Sequence, residues 1–339
     1  MTSTTEKIGT VTLGATGPTV GVQGFGAMGI SEFYGDTDET AARDTLEATV
    51  EAGVTLIDTA DVYGRGANET FLAPFVAAHR DEITLATKFG IERGDDPTHR
   101  GIRNDPAYIK QAVEGSLRRL GVDVIDLYYT HRRDPAVPFA ESVGALADLV
   151  TEGKVKHLGL SEVTGAELRE AYAVHPITAL QSEWSLFSRD VETSAVAAAA
   201  ELGVGLVPYS PLGRGFLTGS FTQADKELTD NDFRRDQPRF TGDNAGRNAA
   251  LLEPVRTVAA AHGATLGQIA LAWVRQRAQV HGLTVVPIPG TRKRSRLLEN
   301  AAATRITLTP EQLALLEPIA GQVTGDRYRD MSSTATARE

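Results

Sequence analysis

Short apolar runs alternate with longer amphipathic stretches along this chain. Eight runs are rich in β-branched and apolar residues, and their lengths are typical of strands buried on both faces. They span residues 20–25, 54–57, 83–86, 124–129, 155–160, 177–180, 204–207 and 284–288. The pattern therefore predicts eight strands separated by longer connections.

The stretches between these runs carry apolar residues three or four positions apart, as on one face of a helix. One such face consists of Ile109, Val113, Leu117 and Leu120. Four of the predicted helices are followed by a glycine, which adopts the left-handed conformation that ends many helices. These glycines are Gly53, Gly121, Gly153 and Gly203. The recurring order of helix, glycine and strand predicts a series of βα units.

We predict an α/β fold, a (β/α)8 TIM barrel, with an open doubly wound sheet as the alternative. Residues 8–13 and the chain from Thr19 are expected to form an N-terminal β-hairpin that plugs one end of the barrel. A long loop after strand seven, from Pro211 to about residue 247, exceeds a plain connection and is interpreted as a lid. Thr309 is expected to cap a final helix. The expected organisation is one domain over residues 1–339, with a flexible tail at 323–339.

The composition of the 339-residue chain narrows the possible classes of function. With 41% hydrophobic and 23% charged residues, it is typical of a globular protein with a sizeable core. A net charge of −10 disfavours binding to nucleic acid or anionic membranes. The lack of cysteine excludes disulfides, thiolate zinc sites and cysteine nucleophiles, and no apolar stretch is as long as a membrane span. We expect a cytoplasmic protein that binds neither nucleic acid nor membrane, and the sequence leaves its oligomeric state open.

Reactive side chains follow the predicted strands, and a barrel brings these positions to one rim. Asp58 follows the second strand, Lys88 the third and His131 the fourth, while Tyr63 lies in the loop after Asp58. An ammonium group lowers the pKa of a neighbouring tyrosine, so Tyr63 is a candidate proton donor tuned by Lys88. Asp58 would orient that lysine, and His131 would bind a substrate oxygen. Each residue has a structural explanation when taken singly, but their shared placement favours catalysis. The remaining histidines show no metal-ligand spacing, and no metal site is predicted.

A basic segment follows the eighth predicted strand. Four of the five residues 292–296 are cationic, and a predicted helix begins there. Positive charge at a helix start opposes the helix dipole, so we expect a bound anion at this position. The loop from Tyr209 to Gly215 after strand seven consists mainly of small residues and contains Arg214. Together the two segments predict a ligand with several phosphates.

Residues 24–29 match the glycine-rich dinucleotide-binding motif G-x-G-x-x-G. In that motif the last glycine opens a helix, whereas residues 30–36 have no helical apolar face and contain Gly35. The Rossmann interpretation is therefore the weaker one. We expect these glycines to let the backbone pass close to a ligand at the rim.

The chain resembles the aldo-keto reductases, NAD(P)H-dependent enzymes on a (β/α)8 barrel, from about residue 8 to residue 300 and beyond. The family's tetrad is matched by Asp58, Tyr63, Lys88 and His131. The resemblance implies that Tyr63 protonates a carbonyl oxygen while hydride arrives from the nicotinamide. It also implies a substrate pocket lined by Tyr34, Tyr63 and His131.

The same resemblance implies a cofactor site along the rim. Ser161 and Gln181 would bind the carboxamide, and Trp184 would stack on the nicotinamide. Arg296 would lie beside a 2′-phosphate, which favours NADPH (NADP+) over NADH. The other implied cofactor residues are Gly26, Ala27, Met28, Tyr209, Ser210, Leu212, Gly213, Arg214, Gly290, Thr291, Arg292, Glu299 and Asn300. Glu162 stands where many relatives have asparagine, and an ionised carboxylate accepts hydrogen bonds but donates none.

Within the family, the chain resembles the microbial and plant branch that includes pyridoxal reductase and perakine reductase. This implies an aldehyde or ketone as substrate, with aromatic compounds among the options, without choosing one. Two other functions stay open. One is a cofactor-binding regulatory subunit resembling the potassium-channel β subunits. The other is a Schiff-base lyase with Lys88 as its nucleophile. We favour NADPH-dependent carbonyl reduction.

Overall fold

The computed structural model describes residues 6–31, 34, 37–93, 100–221, 228–229 and 232–339. Within these residues, seven parallel strands form the central sheet. They are β3 (Phe25–Gly26), β4 (Leu56–Asp58), β5 (Thr84–Phe89), β8 (Ile125–Thr130), β9 (Val155–Ser161), β10 (Ala179–Glu183) and β11 (Gly205–Tyr209). Their order across the sheet is β11-β10-β9-β8-β5-β4-β3. Two antiparallel hairpins lie outside this sheet, β1 (Thr10–Thr12) with β2 (Thr19–Gly21) and β6 (Ile91–Arg93) with β7 (Arg100–Ile102).

An extended segment at the position of the eighth predicted strand closes the barrel. Val285 pairs with Leu206 of β11 in parallel orientation. On the other side, the amide of Gly24, just before β3, donates to the carbonyl of Pro287 at 3.0 Å. The segment therefore joins the two edge strands of the sheet, and the predicted (β/α)8 barrel is confirmed.

The first predicted strand, residues 20–25, is wrong in its extent. Val20 belongs to β2 of the N-terminal hairpin, and the barrel strand begins only at Phe25. The hairpin itself is confirmed, and its residues Leu13 and Val20 pack against inward-facing side chains of the barrel. The amide of Ala15 donates to the carbonyl of Gly203 at 2.7 Å, just before β11 begins. The hairpin therefore plugs the end of the barrel at which the strands start.

Helices cover the outside of the sheet, as the amphipathic stretches predict. They are α1 (Met28–Ser31), α2 (Glu39–Ala52), α3 (Ala67–His79), α4 (Pro106–Leu120), α5 (Phe139–Thr151), α6 (Gly165–Val174), α7 (Asp190–Ser194), α8 (Val196–Leu202), α9 (Gly242–Ala250), α10 (Glu253–His262), α11 (Leu266–His281), α12 (Arg294–Ala302) and α13 (Pro310–Leu316). The apolar face predicted in α4 is buried. All four glycines predicted to end helices have positive φ angles.

The barrel interior is filled by side chains that alternate along the strands. Tyr129 of β8 lies inside the barrel, whereas Tyr128 stacks on Phe89 outside it with ring centroids 5.0 Å apart. Tyr129 faces Gly159 of β9 in the parallel register. A Cβ atom at Gly159 would lie 2.4 Å from the tyrosine ring, so this position requires glycine. The filled interior forms a floor beneath the rim where the strands end.

Two connections differ from a plain alternation of strand and helix. The β6–β7 hairpin follows the third barrel strand and was not predicted. The long connection after strand seven is present, and its described part contains the helical turns Gly213–Thr218, Phe233–Asp236 and Pro238–Phe240. Helix α9 begins at Gly242, inside the predicted loop. No helix in the described part of the chain is long and apolar enough to cross a membrane.

The C-terminal helix and tail lie against the barrel. Thr309 accepts the amide of Gln312 and forms the predicted cap of α13. Farther on, Thr334 and Ala335 are buried, and the Nε of Arg338 donates to a carboxylate oxygen of Glu167 at 2.9 Å. The tail therefore packs on the rim at which the strands end, while its flexibility stays a prediction.

Candidate active site

Side chains from several strands and from the loop after β4 meet at the rim. Asp58 ends β4 and Lys88 lies in β5. The Nζ of Lys88 donates to Oδ1 of Asp58 and, at 2.8 Å, to the carbonyl of Thr59. It also lies 3.4 Å from the hydroxyl oxygen of Tyr63. The other carboxylate oxygen of Asp58 accepts the Nε2 of Gln181 at 2.8 Å. The lysine is thus held between a carboxylate and a phenol, and all of these side chains are buried.

The loop after β4 fixes the position of Tyr63. The tyrosine opens a tight turn, Tyr63–Gly66, in which Arg65 has a φ of 53°. Asn68 ties this loop to the rim, because its Oδ1 accepts the Thr59 hydroxyl at 2.6 Å and its Nδ2 donates to the carbonyl of Ala27 at 2.9 Å. The phenol is therefore carried by a braced turn.

His131 follows β8 and completes the group. Its amide donates to the carbonyl of Phe89 at 2.8 Å, which fixes the backbone. Its ring meets the ring of Tyr63 edge to face, with centroids 5.9 Å apart. Nδ1 is buried and has no hydrogen-bond partner among the described residues. The structure brings together all four residues predicted as the tetrad.

Burial and the lysine charge act in opposite directions on the protons of this site. Burial raises the pKa of Tyr63, and the neighbouring Lys88 opposes this without reversing it. The sequence-based expectation of a lowered tyrosine pKa is therefore wrong in its net direction. Burial alone would lower the pKa of Lys88, but the carboxylate of Asp58 raises it. Burial, with the cations Arg132 and Lys88, holds the pKa of His131 well below its usual range. At neutral pH the site has a protonated phenol, an ammonium group and a neutral imidazole.

The carboxylate of Glu162 accepts hydrogen bonds from several groups of this chain. Arg327 from the C-terminal tail donates to both carboxylate oxygens, at 3.0 and 3.2 Å. The hydroxyl of Tyr209 donates to Oε1 at 2.9 Å, and the amide of Ala335 donates to Oε2 at 3.2 Å. Although burial opposes the effect, the cationic Arg327 lowers the pKa of Glu162 to about 2. Glu162 thus anchors the tail to the rim.

Two buried arginines at the rim, Arg132 and Arg327, were missed by the sequence reasoning. Arg132 directly follows His131, so its place after a barrel strand was a signal that could have been used. Arg327 lies in the segment expected to be a flexible tail, and nothing in the sequence pairs it with Glu162.

The loop after β11 forms a compact left-handed turn. Ser210 and Arg214 have φ angles of 48° and 57°. The amide of Gly213 donates to the carbonyl of Ser210 at 2.8 Å. The guanidinium of Arg214 lies over the ring of Tyr328 and 3.5 Å from Glu183. Predicted cofactor residues Tyr209, Ser210, Leu212, Gly213 and Arg214 therefore share one turn at the rim.

The segment after the eighth strand position passes close to the start of the chain. A Cβ atom at Gly290 would lie 2.6 Å from the carbonyl oxygen of Gly26, so the two backbones approach as only glycine allows. Arg292 donates to the carbonyl of Tyr34 at 2.8 Å. The predicted residues Gly26, Ala27, Met28, Gly290, Thr291 and Arg292 lie along this junction.

The basic residues of this segment divide into two groups. Arg294 binds Asp44 and Glu51 of α2 and is directed away from the rim. Lys293 and Arg296 are exposed at the start of α12, and Arg296 contacts Glu299 at 2.7 Å. The predicted Asn300 is buried in the same helix. Two exposed cations, Lys293 and Arg296, at the start of a helix fit a phosphate group.

The predicted position of Trp184 beside the nicotinamide is wrong. Its ring is fully buried and packs on His281 with centroids 5.6 Å apart, and its Nε1 donates to Glu192 at 2.9 Å. The expected stacking on a nicotinamide does not hold, because no face of the ring is open to a ligand. Tyr34 packs edge to face on Phe233, 6.2 Å between centroids, so it contacts the connection after β11.

Comparison with known proteins agrees with this site. The aldo/keto reductase family model matches residues 24–320, and the chain belongs to this family of oxidoreductases, which act on carbonyl and alcohol groups with nicotinamide cofactors. A glycerol dehydrogenase from Gluconobacter oxydans is similar, with a TM-score of 0.79 and 27% identity over 95% of this chain and 97% of the other.

Two further solved structures are also similar. A thermostable aldo-keto reductase in complex with the inhibitor epalrestat has a TM-score of 0.72 and 27% identity over 92% of this chain and 100% of its own. The holo form of an aldo-keto reductase from Bacillus halodurans has a TM-score of 0.72 and 26% identity over 95% and 100%.

Proposed function

We propose that the protein reduces an aldehyde or ketone to the alcohol with NADPH, and that Tyr63 donates the proton. The observation that carries this proposal is the buried Lys88 ammonium, held by Asp58 at 3.4 Å from the Tyr63 hydroxyl. The similar solved structures, among them a glycerol dehydrogenase and two aldo-keto reductases, support the same class of reaction.

Each tetrad residue has a distinct part in the proposal. When bound, the nicotinamide would supply the hydride. Tyr63 is protonated at neutral pH, since the ordinary pKa of a tyrosine is about 10 and burial raises that of Tyr63 further, and it gives its proton to the carbonyl oxygen. The ammonium of Lys88 stabilises the phenolate that results, and Asp58 keeps this lysine charged. The neutral ring of His131 orients the carbonyl oxygen by a hydrogen bond.

The rim fits a phosphate-bearing dinucleotide at three places. They are the left-handed turn after β11, the close approach of Gly290 to Gly26, and the start of α12. The proposed preference for NADPH rests on Lys293 and Arg296, which are exposed at the start of α12, whereas Arg294 is bound to two carboxylates of α2. We propose Tyr209 in place of Trp184 as the aromatic neighbour of the nicotinamide.

The test is oxidation of NADPH, and separately of NADH, with a panel of aldehydes and ketones, followed by cofactor absorbance. Tyr63→Phe should lower turnover at least about 100-fold, the usual contribution of a positioned acid. Tyr172→Phe is the matched control, because Tyr172 lies in α6 and outside the site. A folded Tyr63→Phe protein with full reductase activity would show that Tyr63 is not the acid.

The structure bears on the lyase alternative, whereas the assay tests the regulatory-subunit alternative. A lyase needs Lys88 as a neutral amine, but the carboxylate of Asp58 raises the pKa of Lys88 and keeps it charged. The structure therefore disfavours Schiff-base chemistry. A regulatory subunit would bind NADPH tightly and reduce none of the carbonyls, and that outcome of the assay would replace the proposed function.

A further inference from the structure

Arg132 is a buried guanidinium group in the candidate active site. It follows His131 directly and is 8% exposed. Its Nη1 donates to the carbonyl of His131 at 2.6 Å and to the hydroxyl of Ser161 at 3.2 Å. Among the described residues, no carboxylate forms an ion pair with it. An arginine out of water is costly unless its charge is matched, so this one requires an explanation.

The other buried arginines at this rim have acidic partners. Arg327 forms two hydrogen bonds with Glu162, and Arg214 lies 3.5 Å from Glu183. Arg132 interacts with the charge of Glu162 only at longer range, and that carboxylate is already bound by Arg327. Within the described part of the chain, Arg132 is thus a buried arginine of this rim without a carboxylate at ion-pair distance.

The net charge of the tetrad also favours an anionic partner for Arg132. Lys88 and Asp58 cancel each other, and His131 is neutral at neutral pH. Arg132 adds one positive charge, which acts on both Tyr63 and His131. A negatively charged group bound beside the carbonyl would neutralise that charge and gain charge-assisted hydrogen bonds in a buried site.

The cofactor does not supply this negative charge under the arrangement proposed above. Its phosphates are assigned to the loop after β11 and to the start of α12. The carboxamide, placed near Ser161, is neutral, and the oxidised nicotinamide is itself a cation. The substrate is therefore the partner that fits Arg132.

We propose that Arg132 binds a carboxylate of the substrate, so that the enzyme prefers carbonyl compounds that carry a carboxylate near the carbonyl. The proposal rests on the proposed reductase function. It makes Arg132 a specificity-determining residue, distinct from the residues that move the proton.

The test compares acids with their methyl esters, which have the same shape without the charge. The probes are 4-oxobutanoate and 4-carboxybenzaldehyde, each with its ester, and the readout is the acid-to-ester ratio of kcat/KM. We expect this ratio to exceed about 10 in the native protein and to fall at least about 10-fold in Arg132→Met, the effect of one charge-assisted pair. Arg132→Lys, which keeps the charge, should recover part of the ratio.

Arg133→Met is the matched control, because Arg133 is the next residue and contacts Glu167 rather than the site. Its acid-to-ester ratio should stay within about two-fold of the native value, as expected for a residue outside the pocket. The proposal is overturned if the native protein shows no preference for the acids. It is also overturned if Arg132→Met lowers both members of each pair equally or weakens NADPH binding instead.

A failure of the reductase function gives a different result, namely no turnover of either member of a pair. Ligand binding measured by calorimetry then tests the carboxylate site. With oxidised cofactor present, 4-(hydroxymethyl)benzoate should bind at least about 10-fold more tightly than its methyl ester, and Arg132→Met should remove the difference. Equal binding of the two compounds overturns the proposal without reference to catalysis.

Discussion

Removing Arg327 should destabilise the protein, because it leaves the carboxylate of Glu162 buried without its cation. Glu162 is 1% exposed and receives two hydrogen bonds from Arg327. Tyr209 and Ala335 also donate to it, but neither carries a charge. In Arg327→Met the side chain keeps its bulk, so the main change is the loss of the compensating charge.

The size of the effect follows from the pKa of Glu162. Burial would raise this pKa, but Arg327 and Arg132 lower it from the ordinary 4.5 to about 2. At about 1.36 kcal/mol per unit, the stabilised ionised form contributes about 3 kcal/mol. Breaking buried pairs costs about 3–5 kcal/mol in other proteins, which agrees. Because the folded-state pKa is depressed, this stability is fully present above pH 4.5 and is lost as the pH falls towards 2.

Urea unfolding at pH 7 of Arg327→Met, Glu162→Gln and the double variant measures the effect. We expect Arg327→Met to lose about 3 kcal/mol, and the double variant to lose less than the sum of the single losses, since position 162 then no longer carries a buried charge that has lost Arg327. Arg329→Met is the control, because its pair with Asp236 is exposed and should cost less than about 0.5 kcal/mol. The reasoning is refuted if Arg327→Met loses less than about 1 kcal/mol or if the two single losses simply add.

Two further predictions concern charges outside the tetrad. Burial and the nearby Glu69 raise the pKa of Asp61 to about 8, and its Oδ1 has no hydrogen-bond partner among the described residues. Because the pKa of Asp61 is higher in the folded than in the unfolded protein, the free energy of unfolding falls as the pH rises from about 4 to about 8. In urea unfolding at pH 8, Asp61→Asn should therefore be more stable than the native protein. Parallel stability curves for the two proteins would contradict this. In steady-state kinetics, Arg296→Ala should raise the KM for NADPH at least about five-fold and leave NADH unchanged. Arg294→Ala is its control, and equal effects on both cofactors would remove Arg296 from the 2′-phosphate site.

The barrel was predictable because its strands are buried on both faces and each is followed by an amphipathic helix. Strand boundaries were less predictable where a single run of residues contributes to two strands. Residues 20–25 contain both the end of the N-terminal hairpin and the start of the first barrel strand. The run also contains Gly21, Gln23 and Gly24, but its pattern alone does not show where the hairpin strand ends and the barrel strand begins. Pairing with the earlier strand, visible only in three dimensions, assigns Val20 to the hairpin.

The tetrad was predictable because a barrel places the residues after its strands at one rim. The role of Trp184 was predicted wrongly, although strand periodicity contains a correction. Side chains alternate along β10, and Gln181 points inward to Asp58. Glu183 then also faces inward, and Trp184 turns outward to the helices. Arg327 and Glu162 are 165 residues apart in the sequence, and a local sequence pattern does not indicate contacts at such a separation.

The contacts of Glu162 explain what its replacement of asparagine does in this chain. A carboxylate has about four acceptor positions, and Glu162 receives two hydrogen bonds from Arg327 and others from Tyr209, Ala335 and the amide of Glu183. No acceptor position is left for a carboxamide. The proposed carboxamide contacts therefore fall to Ser161 and Gln181, while Glu162 holds the tail and the ring of Tyr209 in place at the rim. On this reasoning the substitution converts a position beside the cofactor into an anchor, and its pair with Arg327 is one of the charge pairs that hold the C-terminal tail on the rim.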